Sequence, residues 1–330
     1  MTKLTMNSQL DTYLDIFNKL DFEKIIDHPN ILIAANFWDK DRFLAAKTCY
    51  RFMRAIDDLI DNYKSENHEI AEVERELFEN EVKQWINSIH DSGDADPWKS
   101  KLIATMNQFK IPFWTMETFA TSMIYDIYHD GFATLETFLD YSKGASIAPA
   151  SVFVHLCGIA QESGKFKEPV FDVRTAATPC AVFSYIVHII RDFRKDQHNN
   201  LNYFADDLIA KYGLDRHQLK SISNGGVIPR GFRELIREYY FLAAEYRVKT
   251  YRMIQEVKPM VEPRYQLSLE IIFDLYLMVF ERINPDSGLF TAEELNPTPQ
   301  EIRDRVYKVI LAFHPVEQAE LVNTYDSCEK

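Results

Sequence analysis

Four aspartate pairs in this sequence are spaced as DxxxD: Asp11/Asp15, Asp57/Asp61, Asp126/Asp130 and Asp192/Asp196. On a helix that spacing sets two carboxylates one turn apart on the same face. Paired hard oxygen ligands suit Mg²⁺. Most such pairs are only wet helix faces, so the neighbouring residues must discriminate. Asp57 and Asp61 follow the largely apolar run from Phe43 to Met53 and stand behind Arg54. Tyr50, Arg54, Asp57 and Asp61 fall on one helical stripe, with Asp58 beside it. Like charges one turn apart destabilise a helix unless something neutralises them, which predicts a cation there. Arg54 bridging Asp57 or Asp58 is the simpler alternative.

Asp192 and Asp196 close an uncharged run, Thr175 to Ile190, and complete a second stripe with Tyr185 and His188. Arg191, Arg194 and Lys195 flank it. Carboxylates for a metal beside guanidinium groups for phosphate make up what a diphosphate needs; a surface ion-pair cluster is the alternative. Asp11/Asp15 and Asp126/Asp130 have no adjacent arginine and are assigned to solvent. His129 is read with Asp126 and Asp130 as a wet helix end.

These stripes need helices to carry them. The chain has 330 residues with only 10 Gly and 13 Pro, too few turn formers for a many-stranded sandwich or barrel. Apolar residues recur at three- and four-residue spacing, predicting helices near 9–26, 39–62, 66–90, 134–146, 148–162, 171–195, 231–257, 263–283 and 298–312. Two more start at Pro97 and Pro112, a residue suited to a first helical turn. Breaks fall at Ser92-Gly93-Asp94, Asn224-Gly225-Gly226 and Pro285–Gly288. With no long linker and no repeat, residues 1–330 read as a single all-α domain. A net charge of −13 disfavours nucleic acid as a partner. Cys49, Cys157, Cys180 and Cys328 are scattered, as in a reduced chain. No apolar signal core or transmembrane segment is visible. The expectation is a cytoplasmic protein.

No GxGxxG, P-loop, HExxH or GxSxG motif occurs. The acidic motifs, in contrast, point to a family. Tyr50-Arg-Phe-Met-Arg54-Ala-Ile-Asp57-Asp58-Leu-Ile-Asp61 resembles the first aspartate-rich motif of the squalene/phytoene synthase family, Y-x-x-x-R-x-x-D-D-x-x-D. Arg191-Asp192-Phe-Arg-Lys-Asp196 resembles the second, R-D-x-x-x-D. Tyr141-Ser-Lys-Gly144 falls at the family's Y-C-x-x-V-A-G segment, Asn202-Tyr203-Phe204 at its I-Y-L/F, and Leu275-Tyr276-Leu277 at its late tyrosine helix. The resemblance covers nearly the whole chain and is closest to bacterial squalene and hydroxysqualene synthase-like members.

The resemblance implies a class I isoprenoid synthase bundle around a central cavity. The implied activity is that of a prenyltransferase: Mg²⁺-dependent head-to-head (1′-1) condensation of two farnesyl or geranylgeranyl diphosphates, with release of diphosphate. Asp57, Asp58, Asp61, Asp192 and Asp196 would bear metal. Arg54, Arg191 and Lys195 would grip diphosphate, with Tyr185 and Tyr203 on the substrate. Tyr50, Tyr276 and His188 would line the reacting centre. The departures sit on the second stripe, where the family usually has Gln and Asn and this chain has Tyr185 and His188. The flap from His28 to Phe37 also lacks the usual Ser-Phe signature. Product outcome is therefore open, and terpene synthase-type cyclisation of one prenyl diphosphate is the alternative. A non-catalytic lipid- or partner-binding helical protein is a third reading, disfavoured by charge on otherwise apolar helices. NADPH use is undecided, since no nicotinamide motif is present. A greasy product favours transient membrane contact.

Overall fold

The computed structural model describes residues 3–23, 30–66, 70–90 and 97–318. Ser92-Gly93-Asp94, His28 and Cys328 lie outside the described residues. Among the described residues sixteen α-helices follow in chain order: α1 (Lys3–Lys19), α2 (Asn30–Ala35), α3 (Lys40–Glu66), α4 (Glu72–His90), α5 (Pro97–Phe109), α6 (Trp114–Tyr128), α7 (Leu135–Ser142), α8 (Ala148–Gly158), α9 (Val173–Arg191), α10 (Phe193–His198), α11 (Asp206–Lys211), α12 (Arg216–Ser223), α13 (Arg230–Val257), α14 (Pro263–Phe280), α15 (Ala292–Leu295) and α16 (Pro299–Ala312). Among the described residues the only sheet is a hairpin, β1 (Ala160–Glu162) and β2 (Lys165–Lys167).

The centre of the bundle is α9. The Asp172 side chain caps it by accepting the Thr175 N–H at 2.6 Å, which satisfies one orphan donor of the first turn. Residues before Arg191 on this helix carry no Asp, Glu or Lys and only one Arg, so it can be enclosed on several sides. It packs along α13 and against α8 and α14. By length and composition α9 could cross a membrane, but more than half of that apolar window is buried inside the protein. Fully buried Phe183 lies on it, and fully buried Phe138 stacks on its Tyr185.

Several boundaries differ from the periodicity reading; the first helix, expected over 9–26, runs Lys3–Lys19. The helix expected over 148–162 stops at Gly158. Ser163 and Gly164, both at positive φ (50° and 77°), then close the β1–β2 hairpin, the geometry a two-residue primed turn demands. The helix expected over 171–195 breaks at Asp192, whose φ/ψ of −91°/2° leaves the helical region. The chain resumes as α10, re-aiming Asp196 relative to α9. Short α11 and α12 were not apparent from apolar spacing. Asp215 and Gln218 form a capping box that starts α12, a local signal that periodicity passes over.

Between α7 and α8 lies a π-helical turn, Lys143–Ile147. Such turns recur at functional sites. Here it lets the backbone of Gly144 press against α6. A Cβ on Gly144 would lie 2.2 Å from both the Ser122 hydroxyl oxygen and the Thr118 carbonyl oxygen. Ser122 also donates to the Tyr141 carbonyl at 2.8 Å, locking α6 to the end of α7.

Candidate active site

A cavity of about 390 Å³ opens between α3, α6, α8 and α9. Both aspartate stripes line it. From α3 come Tyr50, Arg54, Asp57 and Asp61; from α9 and α10 come Tyr185, His188, Asp192 and Asp196; Tyr203 and Tyr276 complete the polar wall. Apolar lining includes Met53, Phe119, Val152 and Phe153. Amphipathic spacing thus delivers charge at one side of an otherwise apolar hollow.

The carboxylates feel one another. Burial raises Asp57 to about 7, Asp61 adds to the rise, and Arg54 opposes it. Asp61 is raised by burial too, against the pull of Arg54 and Lys64. Asp196 is raised well above the usual carboxylate range by burial, then by Asp192, with Asp61 of the opposite stripe contributing. The exception is Asp192. Burial works to raise it, but the bidentate hydrogen bonds from Arg191, at 2.8 and 2.6 Å, win and hold it low. Burial, with repulsion from neighbouring carboxylates, disfavours the charged form of these cavity groups.

The two arginines already have partners. Arg54 bonds Asp57 at 2.6 Å and also Asp58. It is exposed at the mouth (45 % for its side chain) rather than enclosed, and Asp58 is turned to the same surface and does not line the cavity. Arg191 is engaged with Asp192. Arg194 leaves the site: it donates to the carbonyls of Leu289 and Phe290. Lys195 is exposed, with its charge acting on Asp61, Asp192 and Asp196.

His188 replaces an expected amide and is set edge-on to Tyr276, with ring centroids 5.1 Å apart. Its Nε2 is buried with no hydrogen-bond partner among the described residues. Burial, aided by Arg191, lowers its pKa to about 3, so it is a neutral imidazole. Tyr185 stacks on Phe138 and meets Tyr203 edge-on.

The assignment of Asp126 to solvent is overturned. Its carboxylate accepts the Tyr141 hydroxyl at 2.6 Å. Burial raises its pKa to about 8, Tyr141 and Lys64 oppose, and Asp61 and Asp57 add to the rise. The lack of an adjacent arginine misled because its partner comes from α7, fifteen residues on. Asp130 and His129 do remain exposed at the helix end, with His129 stacked on Tyr125. Asp11 and Asp15 are exposed on α1. Lys64 was also missed, although it continues the Asp57/Asp61 stripe. Its ammonium group is buried, donates to the His129 carbonyl at 2.8 Å and adds positive charge beneath Asp61 and Asp126.

Among the described residues no three His, Cys, Asp or Glu side chains gather closely enough to cage an ion by themselves. Paired carboxylates on two walls are instead the donor set for a cation that keeps waters and takes its remaining ligands from a phosphate group, which is how Mg²⁺ binds. The all-oxygen donors and the crowding of their negative charge fit that ion.

The model of the family described as squalene/phytoene synthase matches residues 30–299. Solved structures share the fold at low identity. A dehydrosqualene synthase crystallised with a ligand is 14% identical with a TM-score of 0.63, covering 92% of this chain and 100% of that one. Squalene synthase HpnC from Alicyclobacillus acidocaldarius is 12% identical with a TM-score of 0.59, covering 82% and 91%. YisP from Bacillus subtilis subsp. subtilis strain 168 is 11% identical with a TM-score of 0.55, covering 93% and 100%. No curated protein sequence matches the chain.

Proposed function

Because the chain belongs to the squalene/phytoene synthase family, a family of prenyltransferases, we propose that it joins two prenyl diphosphates head to head in the cavity between α3 and α9, in a Mg²⁺-dependent reaction. The observation that carries this reading is the meeting of Asp57/Asp61 and Asp192/Asp196 on one largely apolar cavity. Asp57, Asp61, Asp192 and Asp196 would hold the metal. When bound, Mg²⁺ neutralises the diphosphate and makes it a better leaving group.

The chain's own residues supply the rest. Arg54 and Arg191 lie beside the carboxylates and can trade part of their ion pairing for diphosphate oxygens, with Lys195 adding positive charge at the mouth. In the first half-reaction the C1–O bond of one substrate breaks and diphosphate leaves with the electron pair. The double bond of the second substrate attacks the allylic cation, and loss of a proton closes a cyclopropyl diphosphate. Tyr50, Tyr185, Tyr203 and Tyr276 present aromatic surface to the cation. The apolar wall keeps water from it. Neutral His188 adds no positive charge next to the carbocation.

The test is product analysis with farnesyl and geranylgeranyl diphosphate, with and without Mg²⁺ and NADPH, for the wild type and for Asp57→Ala and Asp192→Ala. The expected products carry twice the carbon count of the substrate. Unchanged diphosphate release in both variants overturns the reading. A product with the substrate's own carbon count establishes cyclisation or hydrolysis of a single substrate instead.

A further inference from the structure

The reaction cavity is adjoined by a second, smaller chamber of about 60 Å³. Ile31, Ala150, Phe153, Ser184 and Tyr276 belong to the walls of both, so the chamber lies directly past the level of Tyr276. Its α9 wall is built from small side chains, Ala176, Ala177, Cys180 and Ala181, which face Ile254 of α13 and Ile272 of α14. Bulk is withheld on the α9 side, and this leaves room in a core that is elsewhere packed with Phe and Ile.

The chamber asks for nothing polar. The Ser184 hydroxyl donates to the Ala181 carbonyl at 2.9 Å, and the Thr250 hydroxyl donates to the Tyr246 carbonyl at 2.8 Å. Both hydroxyls are satisfied within their own helices, and the Tyr276 hydroxyl is hydrogen-bonded with Ser184, so the polar groups on this wall are engaged with one another. Water there would lack the two to four polar partners it needs. Hydrocarbon is the ligand class that fits.

Depth follows from helix geometry. His188 stands one turn before Asp192, and Ala176 stands twelve residues before His188. At a rise of about 1.5 Å per residue this is about 18 Å along α9. With carbon–carbon bonds of about 1.5 Å, an extended zigzag chain advances about 1.25 Å per bond, so a C15 prenyl chain reaches about 14 Å and a C20 chain about 19 Å. Resting on the reading that prenyl diphosphates occupy this cavity, we propose that the chamber bounded by Ala176, Ala177 and Ile272 receives the far end of a C20 chain, making geranylgeranyl diphosphate the preferred substrate over farnesyl diphosphate.

The experiment compares kcat/KM for the two substrates with full-length protein and Mg²⁺, and the affinities of their unreactive thiolodiphosphate analogues by calorimetry. A preference of at least tenfold for C20 is expected; equality or a C15 preference overturns the proposal. Ala177→Phe fills the chamber and should lower the C20-to-C15 ratio at least tenfold; an unchanged ratio in a folded variant overturns it. Ile272→Ala enlarges the chamber and should raise C25 use relative to C20, a readout that survives if the Phe variant does not fold. Chain-length-dependent analogue binding without diphosphate release would sink the condensation reading and leave the chamber standing. Analogue binding that is blind to chain length sinks the chamber alone.

Discussion

The Tyr141 hydroxyl donates to the Asp126 carboxylate at 2.6 Å, tying α7 to α6 behind the two metal-type aspartate pairs. Asp126 titrates at about 8 in the fold, chiefly through burial, against about 3.9 in an unfolded chain. Between those values the folded protein holds a proton that the unfolded one has lost. Stability must therefore fall as pH rises through this window, by up to about 1.4 kcal/mol per unit from this group. Asp126→Asn keeps an acceptor for Tyr141 and removes the titration. Relative to wild type it should gain about 2 to 4 kcal/mol between pH 5 and pH 8 in urea unfolding without metal. Parallel pH profiles for the two proteins would exclude a buried, protonated Asp126.

Removing one carboxylate from either stripe should disable chemistry more than folding. Asp57→Asn and Asp192→Asn are each expected to lower kcat by about 100-fold to 1000-fold, the range seen when a preorganised electrostatic group is lost. Asp57→Asn also relieves repulsion with Asp61, so its thermal midpoint should equal or exceed the wild-type value. A variant with lowered midpoint and intact kcat would show that the pair serves structure instead.

Metal and diphosphate should bind as a unit. Inorganic diphosphate with Mg²⁺ is expected to raise stability by about 2.7 kcal/mol at a hundredfold excess over Kd. Neither component alone should do the same, because the carboxylates repel the anion and leave the ion half-coordinated. Chelation by EDTA should abolish turnover, and Mg²⁺ should restore it. Full turnover in EDTA rules out the assignment of a metal to these aspartates.

Gly144→Ala tests the close crossing of the π-helical turn and α6. The new methyl would meet the Thr118 carbonyl, a backbone atom that cannot swing away. A loss of about 3 kcal/mol is expected, with lowered activity because Tyr141 moves with the turn. A change in the denaturation midpoint too small to measure would refute the contact.

The sequence alone reached the fold class and both aspartate stripes, for a physical reason. A helix repeats every 3.6 residues, so Tyr50, Arg54, Asp57 and Asp61 share a face whatever surrounds them, and so do Tyr185, His188, Asp192 and Asp196. Scarce glycine and apolar spacing determined the helices in the same local way. What spacing cannot encode is which side chain from another helix arrives opposite. Tertiary packing brought Tyr141 to Asp126, buried Lys64 beneath Asp61, drew Arg194 away to the Leu289 and Phe290 carbonyls and left Asp58 on the rim with Arg54. It also decided depth: the space past Tyr276 exists because the small residues of α9 face α13 and α14 across a gap, and a gap between helices is a property of their packing that no one helix carries.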